Sequence, residues 1–381
     1  MIVQVFNSGV VSGPETLVLP AIRLFHEPHV VVFLVEKRRG AAGRAPLEFA
    51  RSLGLRVEEV VVESRFDRRA VGSLRASLRA LSPRAVHAHD VKASAYAWLA
   101  SRGESWKCIS THHGVRGRPD WITKAYEYFY SQFILPRMSL AIAVSGEDRA
   151  TLLGRGLDPK RTVFVQNGIT RRRWESGERA AESARIRSEW GRDIPGLTSS
   201  DVLLGMVARL SAEKRHSYFL RTLAELERSR PGLPWRMIAI GAGNLGEVLK
   251  RETRELGLEK KVHWLGYREG ASKLMPALDA LVFTSSAEGL PISALEAGWA
   301  GIPLFASAVG ALPELIGAGA QAGGIVFPRE QEPANTAASV AGLIENPEKR
   351  GRMGLALQNR VASEYSAEAW VNRMESIYHA V

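Results

Sequence analysis

Cysteine is nearly absent: Cys108 is the single one among 381 residues. A lone thiol closes no internal disulfide, and nothing in the composition asks for an oxidising compartment. Long apolar runs are missing as well. The longest uncharged part of the second half, 297–313, is broken by Gly298, Gly301, Pro303 and Gly310 and barely reaches spanning length. No membrane helix is therefore expected. The opening residues, Met1 to Phe6, lack the basic start and apolar centre of a signal peptide and read as a strand. A cytoplasmic location follows as the expectation, with room for a peripheral position at the inner face of a membrane. Low-complexity segments and short repeats are absent too, which excludes fibrous and solenoid classes.

What is present is ordinary globular material, with 45% hydrophobic and 24% charged residues in a chain long enough for two domains. The net charge is +11, and its placement is uneven. The first 190 residues hold 30 of the 51 Lys+Arg and 19 of the 40 Asp+Glu, so the whole excess lies there. Such a half suits an anionic membrane surface, a phosphorylated acceptor or nucleic acid; the bland alternative is a set of solvated basic faces. No nucleic-acid reading motif accompanies the charge, so no nucleic-acid partner is expected.

Short apolar runs alternate with longer mixed segments. Strands are expected at 2–6, 30–35, 57–62, 85–89, 107–110, 140–144 and 163–166, then at 202–207, 235–240, 261–265, 280–283, 303–305 and 324–327. This is the βαβ rhythm of a parallel sheet covered on both faces. It lapses between Gly168 and Ser200, where Arg171-Arg172-Arg173 leads into a polar helical stretch. The expected fold class is α/β: two doubly wound, Rossmann-like parallel sheets. The domains are 1–168 and 169–365, with the amphipathic terminal helix, 366–381, packing back on the first.

The informative stretch is Ser285-Ser286-Ala287-Glu288-Gly289-Leu290-Pro291, followed by Ile292 to Gly298. It joins a buried strand to a helix expected to start at Pro291, whose missing N–H costs nothing at a first helical position. The helix start would turn its unpaired N–H groups and partial positive charge towards the crevice above the sheet, a place suited to an anion. Glu288 and Glu296 would repel an anion unless the ligand also offers hydroxyl groups. A phosphate carried on polyols, as in a nucleotide sugar, meets both demands. Solvated glutamates on a capped helix are the plain alternative.

Other segments point to the same sheet edge. Arg209, at a strand end, and Lys214, before the next helix, place two cations where a diphosphate would lie, unless they pair with Glu213 at the surface. Gly241-Ala242-Gly243-Asn244-Leu245-Gly246 fits the GxGxxG pattern of a dinucleotide site. It follows the second strand of its domain, however, and no acidic residue clearly ends the next one, so a glycine turn beside a phosphate-bearing ligand is the better account. In the first half, Asn7-Ser8-Gly9 forms a similar turn.

Four of nine histidines, His87, His89, His112 and His113, gather at strand ends. His89, Asp90 and His113 lack the spacing of a regular metal site, and a histidine and carboxylate lining a substrate cleft fits better. His113 is best placed to touch a reacting group; His112 points the other way and is expected to be structural. The aromatic, basic run Trp121 to Arg137 reads either as core or as a membrane-surface helix.

With Arg209, Lys214, the glycine turn at 241–246, Glu288 and Glu296 in this order, the chain resembles the retaining glycosyltransferases of family 4 over nearly its whole length. Glu288 and Glu296, set in Glu-Gly-Leu-Pro and Leu-Glu-Ala, carry the resemblance most specifically. Asn167-Gly168-Ile169 resembles the family's Asn-Gly-Ile/Val-Asp, with Thr170 in the place of the aspartate. The resemblance implies a GT-B architecture, with two domains facing each other across a cleft and the nucleotide-sugar donor mostly on the second. It implies that Arg209 and Lys214 hold the diphosphate and that Glu296 binds the ribose hydroxyls. Glu288, with the backbone of Gly289 and Leu290, would hold the transferred sugar. Tyr267 and Arg268 fall where the base is gripped, Gly243 and Asn244 beside the donor, His113 against the sugar and Gly9 near the phosphates. The donor is expected to be UDP- or GDP-linked, with no cofactor and no metal, in keeping with the lack of an Asp-x-Asp pair. The acceptor is expected to be a glycan, a lipid-linked or another hydroxylated compound. An epimerase or hydrolase on the same frame, or a non-catalytic nucleotide-sugar-binding subunit, remains open.

Overall fold

In a computed structural model that describes all residues except 12, 65–66, 113–127, 171–173 and 175, every expected apolar run forms a strand. The first sheet contains β1 (Ile2–Phe6), β2 (His29–Glu36), β3 (Val57–Val62), β4 (Ala85–Ala88), β5 (Lys107–His112), β6 (Leu140–Ala143) and β7 (Thr162–Phe164). Its order is β3-β2-β1-β4-β5-β6-β7, with parallel pairing throughout. The second contains β8 (Val202–Val207), β9 (Trp235–Ile240), β10 (Val262–Gly266), β11 (Ala280–Phe283), β12 (Leu304–Ser307) and β13 (Gly324–Phe327). Its order is β10-β9-β8-β11-β12-β13, again parallel. Most strand residues are buried, and strands such as β2 and β11 are largely apolar, as expected of parallel sheets covered on both faces. Strand order reverses between β1 and β4 and between β8 and β11. At such a reversal the loops diverge and open a crevice at the carboxyl edge.

The chain divides into two compact units, Met1–Thr170 with Glu364–Val381, and Arg171–Ser363. Within the first, Asn167-Gly168-Ile169 meets the returning chain. The Ile169 N–H donates to the Tyr365 carbonyl at 2.9 Å and the Ala367 N–H to the Ile169 carbonyl at 3.2 Å. A Cβ on Gly168 would stand 2.1 Å from the Ser366 carbonyl oxygen, so only glycine permits this approach. The helix Ala367–Ala380 then buries Trp370 and Tyr378.

His87 and His89 lie on this packing surface rather than in a substrate cleft. The Gln4 amide donates to the Tyr378 hydroxyl and to His29 Nδ1, both at 3.0 Å. His87 bridges the Tyr378 hydroxyl and Thr111 Oγ1, each at 2.7 Å. His89 Nε2 donates to Gln4 Oε1 at 2.6 Å, and its ring stacks on Phe6. Asp90 caps the helix Val91–Ala100, accepting from Ala93 N–H at 2.7 Å and Asn7 N–H at 2.6 Å. The expectation that a histidine and carboxylate line a cleft is thus corrected for His89 and Asp90. Their side chains serve the interior and a helix cap. His112 is half-buried at the end of β5, its ring 5.8 Å from that of Tyr130, and desolvation lowers its pKa to about 4. His113 lies outside the described residues.

The run 121–137 divides. Its first part, 121–127, is outside the described residues. Of the rest, Tyr130, Ile134 and Leu135 are core, while Tyr128, Phe129 and Phe133 are exposed. Among the described residues no helix is long and apolar enough to cross a membrane.

Candidate active site

The second sheet's reversal point carries the polar loops. After β8 the chain runs as 208–210 against the glycine turn that follows β9. Leu210 N–H donates to the Ala242 carbonyl and Leu245 N–H to the Leu210 carbonyl, both at 3.1 Å. A Cβ on Gly241 would lie 1.9 Å from the Ala208 carbonyl oxygen, and one on Gly243 2.3 Å from that of Leu210. The first two glycines of the GxGxxG pattern therefore admit a neighbouring protein loop, and the pattern needs no dinucleotide to explain it. Gly243 and Asn244 are exposed beyond this contact, just before the helix Gly246–Glu255.

The next turn, Ala212–Lys214, is closed by Ser211 Oγ donating to Glu213 Oε1 at 2.7 Å. Arg209 reaches the same oxygen from 3.3 Å, with 67% of its side chain exposed. The surface pairing weighed for the two cations thus exists for Arg209 alone. Lys214 goes elsewhere: its Nζ lies 2.5 Å from Glu288 Oε1, with the two side chains only 16% and 8% exposed. Ser285 Oγ donates to that same Oε1 at 2.6 Å. The ion pair thus spans the crevice from the loop after β8 to the loop after β11.

Four further residues fix the geometry through contacts that were not foreseen from the sequence. Thr284, fully buried, donates through Oγ1 to the carbonyls of Lys214 at 2.9 Å and Arg215 at 3.1 Å. Ser307 Oγ donates to the Ser285 carbonyl at 2.7 Å, and Ser286 N–H to the Glu213 carbonyl at 2.8 Å. Gly310, at φ +56°, lets 310–311 pass so close that its Cβ would stand 2.2 Å from the Glu288 carbonyl oxygen. The available signal was a hydroxyl residue ending each of two apolar strands, since a buried hydroxyl needs a partner. Which carbonyl it meets depends on the fold.

Pro291 is the cap of its helix rather than the first helical residue. It is extended, with φ −65° and ψ 127°, and the helix begins at Ile292. Leu290 is buried, Gly289 half-buried, and its carbonyl accepts from Ala311 N–H at 3.0 Å. Glu296 sits in the second turn of Ile292–Trp299 and is half-buried. Tyr267 and Arg268 follow β10, an edge strand two places from β8, and both are exposed, Tyr267 to 74%. In the first unit Gly9 is buried against Arg39. Among the described residues no group of three or more His, Cys, Asp or Glu is placed to hold a metal ion. A cavity of about 1320 Å³ lined by Arg179, Arg187, Asp279 and Gln358 opens at the opposite, amino edge of the second sheet.

Two family models match the chain: Glycosyltransferase Family 4 over residues 11–173 and Glycosyl transferases group 1 over residues 191–360. The chain belongs to the family 4, group 1 glycosyltransferases. The D-inositol 3-phosphate glycosyltransferase of Nocardia farcinica is 27% identical over 230 residues, 58% of this chain and 47% of that protein. This chain thus spans about half the length of that relative. The lipopolysaccharide core biosynthesis mannosyltransferase LpsB of Rhizobium meliloti is 24% identical over 260 residues, 66% of this chain and 68% of its own. The crystal structure of Anabaena Alr3699/HepE in complex with UDP-glucose matches with a TM-score of 0.81 at 17% identity, covering 100% of both chains. The fold is accordingly GT-B.

Proposed function

We propose that the chain moves a sugar, with retention, from a nucleoside-diphosphate sugar to a hydroxyl group in cell-envelope polysaccharide or glycolipid synthesis. The observation that carries this is the Lys214–Glu288 pair across the reversal point of the second sheet, with Arg209 beside it. Arg209, exposed and held by one long contact, is free to swing its fork onto a diphosphate. Lys214 is already fixed at the site and supplies a point charge for the leaving group. Glu288 receives Lys214 and Ser285 on Oε1, which leaves Oε2 for a sugar hydroxyl. The backbone of Gly289 and Leu290 completes that subsite, Glu296 takes the ribose, and Tyr267 and Arg268 take the base. Gly243 and Asn244 border the donor.

Attack comes from the face the nucleotide leaves, and the departing phosphate accepts the acceptor's proton. Charge on that phosphate is balanced by the two cations, without a metal or another cofactor. The UDP-glucose complex of the Anabaena protein supports a UDP-linked donor, and the activity named for LpsB supports an envelope role. The place of action is the cytoplasm, with contact to an anionic membrane through the exposed Tyr128, Phe129 and Phe133, where Arg137 lies over the Phe133 ring.

The test is a thermal-shift screen with UDP, GDP, ADP, their sugar conjugates, NAD and FAD, with and without EDTA, followed by product analysis with and without acceptor. A ligand at a hundred times its dissociation constant stabilises the fold by about 2.7 kcal/mol. Stabilisation by one nucleoside diphosphate regardless of EDTA, and sugar release only onto an acceptor, is the expected result. A response confined to NAD or FAD, or epimerisation without acceptor, contradicts the assignment.

A further inference from the structure

At the reversal point of the first sheet, one buried carboxylate holds three cations. Glu36 ends β2 with its side chain 3% exposed. Arg38 Nε donates to its Oε2 at 2.7 Å and Arg39 Nε at 3.1 Å, while Lys92 Nζ donates to Oε1 at 2.6 Å. Burial raises the Glu36 carboxyl, but the hydrogen bonds from Arg38 and Lys92 outweigh it and bring the pKa to about 2. The carboxylate is therefore a fixed anchor.

Lys92 lies in the first turn of Val91–Ala100, where the helix end already carries positive potential and a cation is disfavoured. Its side chain is only 14% exposed. Two further carboxylates, Glu15 and Asp90, lie on the buried side, and Asp90 is engaged by the N–H groups of Asn7 and Ala93. Each arginine uses Nε for Glu36, so its forked Nη end remains for a ligand. Arg38 is 59% and Arg39 37% exposed. A Cβ on Gly9 would stand 2.4 Å from Arg39 Nη1, so the glycine after β1 makes room for the guanidinium. The turn Lys37–Arg39 is defined, closing at Gly40 with φ +57°. Lys37 itself pairs with Glu63 at 3.5 Å.

We propose that Arg38, Arg39 and Lys92, pre-ordered by Glu36 over the end of β1, form a binding site for a phosphate group carried by the acceptor. Two adjacent guanidinium forks and one ammonium match the oxygens of a phosphomonoester or diphosphate. The assignment of that phosphate to the acceptor rests on the transfer reading of the second unit.

The experiment uses the full chain with UDP at saturation to occupy the donor site, and titrates inorganic pyrophosphate calorimetrically. Wild type is expected to show one saturable site, weakened at least tenfold in Arg38→Gln/Arg39→Gln, with UDP affinity unchanged. That variant keeps the Lys92–Glu36 pair and so retains its fold, checked by thermal unfolding; Lys92→Gln supplies an independent second variant. In parallel, retention on phosphatidylglycerol vesicles is compared with retention on phosphatidylcholine vesicles. Loss of anionic-vesicle retention in the variant assigns the phosphate to a lipid; loss of pyrophosphate binding alone assigns it to a soluble acceptor. Unchanged binding of both probes in the variants, or no binding by wild type, overturns the proposal. Failure of UDP to bind would instead count against the donor site, while the effect of the variants on pyrophosphate would still decide this one.

Discussion

Lys214 and Glu288 stand 74 residues apart in the chain and 2.5 Å apart in space, joined across the crevice where the second sheet reverses its strand order. Breaking one side of so buried a pair leaves the other charge unpaired, which typically costs about 3–5 kcal/mol. Lys214→Met and Glu288→Met should therefore each lower the unfolding temperature, and the double variant should recover part of the loss. Transfer should fall by about 10²–10³-fold in Lys214→Met and not return in the double variant. Chemical denaturation and a sugar-transfer assay on the same samples check both halves. Recovery of activity together with stability would show the pair to be structural only.

Thr284 ties the Lys214 loop to β11 through two carbonyls. Thr284→Val keeps the shape and removes the donor, so the expected loss is about 1–3 kcal/mol. Because the lysine's backbone is then less constrained, the transfer rate should fall more than donor affinity does. Steady-state kinetics with varied donor separates kcat from KM.

Gly310→Ala combines a left-handed backbone with a Cβ 2.2 Å from the Glu288 carbonyl oxygen. The conformation alone costs about 1–2 kcal/mol, and the clash must move the loop that carries Glu288. Loss of both stability and transfer is expected. Gly342→Ala, in the helix Pro333–Glu345 with nothing within 4 Å of its Cβ, is the control and should stabilise by about 0.5–1 kcal/mol. Thermal unfolding of the two variants gives the comparison.

Acid should destabilise the protein from about pH 6.5 downwards. Burial lowers the pKa of His29, His112, His216 and His263 to about 4 and holds His87 well below its ordinary value. These rings stay neutral in the fold, whereas the unfolded chain takes up their protons below pH 6.5, so stability falls as pH drops from 6.5 towards 4. Each ring contributes up to about 1.4 kcal/mol per pH unit inside that window. Asp90 and Asp148, raised by burial to about 6, act in the opposite sense between pH 6 and 4, but they are two groups against five. Unfolding temperatures measured from pH 7.5 to 4.5 should decline steadily; a flat profile would contradict the burial of these rings.

The sequence alone determined the strands and placed Arg209, Lys214 and Glu288 at one sheet edge. Apolar runs such as those within His29–Glu36 and Ala280–Phe283 coincide with the observed strands because burial on both faces favours apolar side chains. Glu288, Lys214 and Arg209 were legible because charge at a strand's carboxyl end has few structural uses. Only the tertiary structure decided their partners. That Lys214 meets Glu288 while Arg209 meets Glu213, that Gly241 and Gly243 face a protein loop, and that His87 and His89 pack with the last helix all depend on strand order. A local pattern sets which way a side chain points along its own strand. Which strand lies next to it is set by the whole sheet, and hydrogen-bond partners are chosen there.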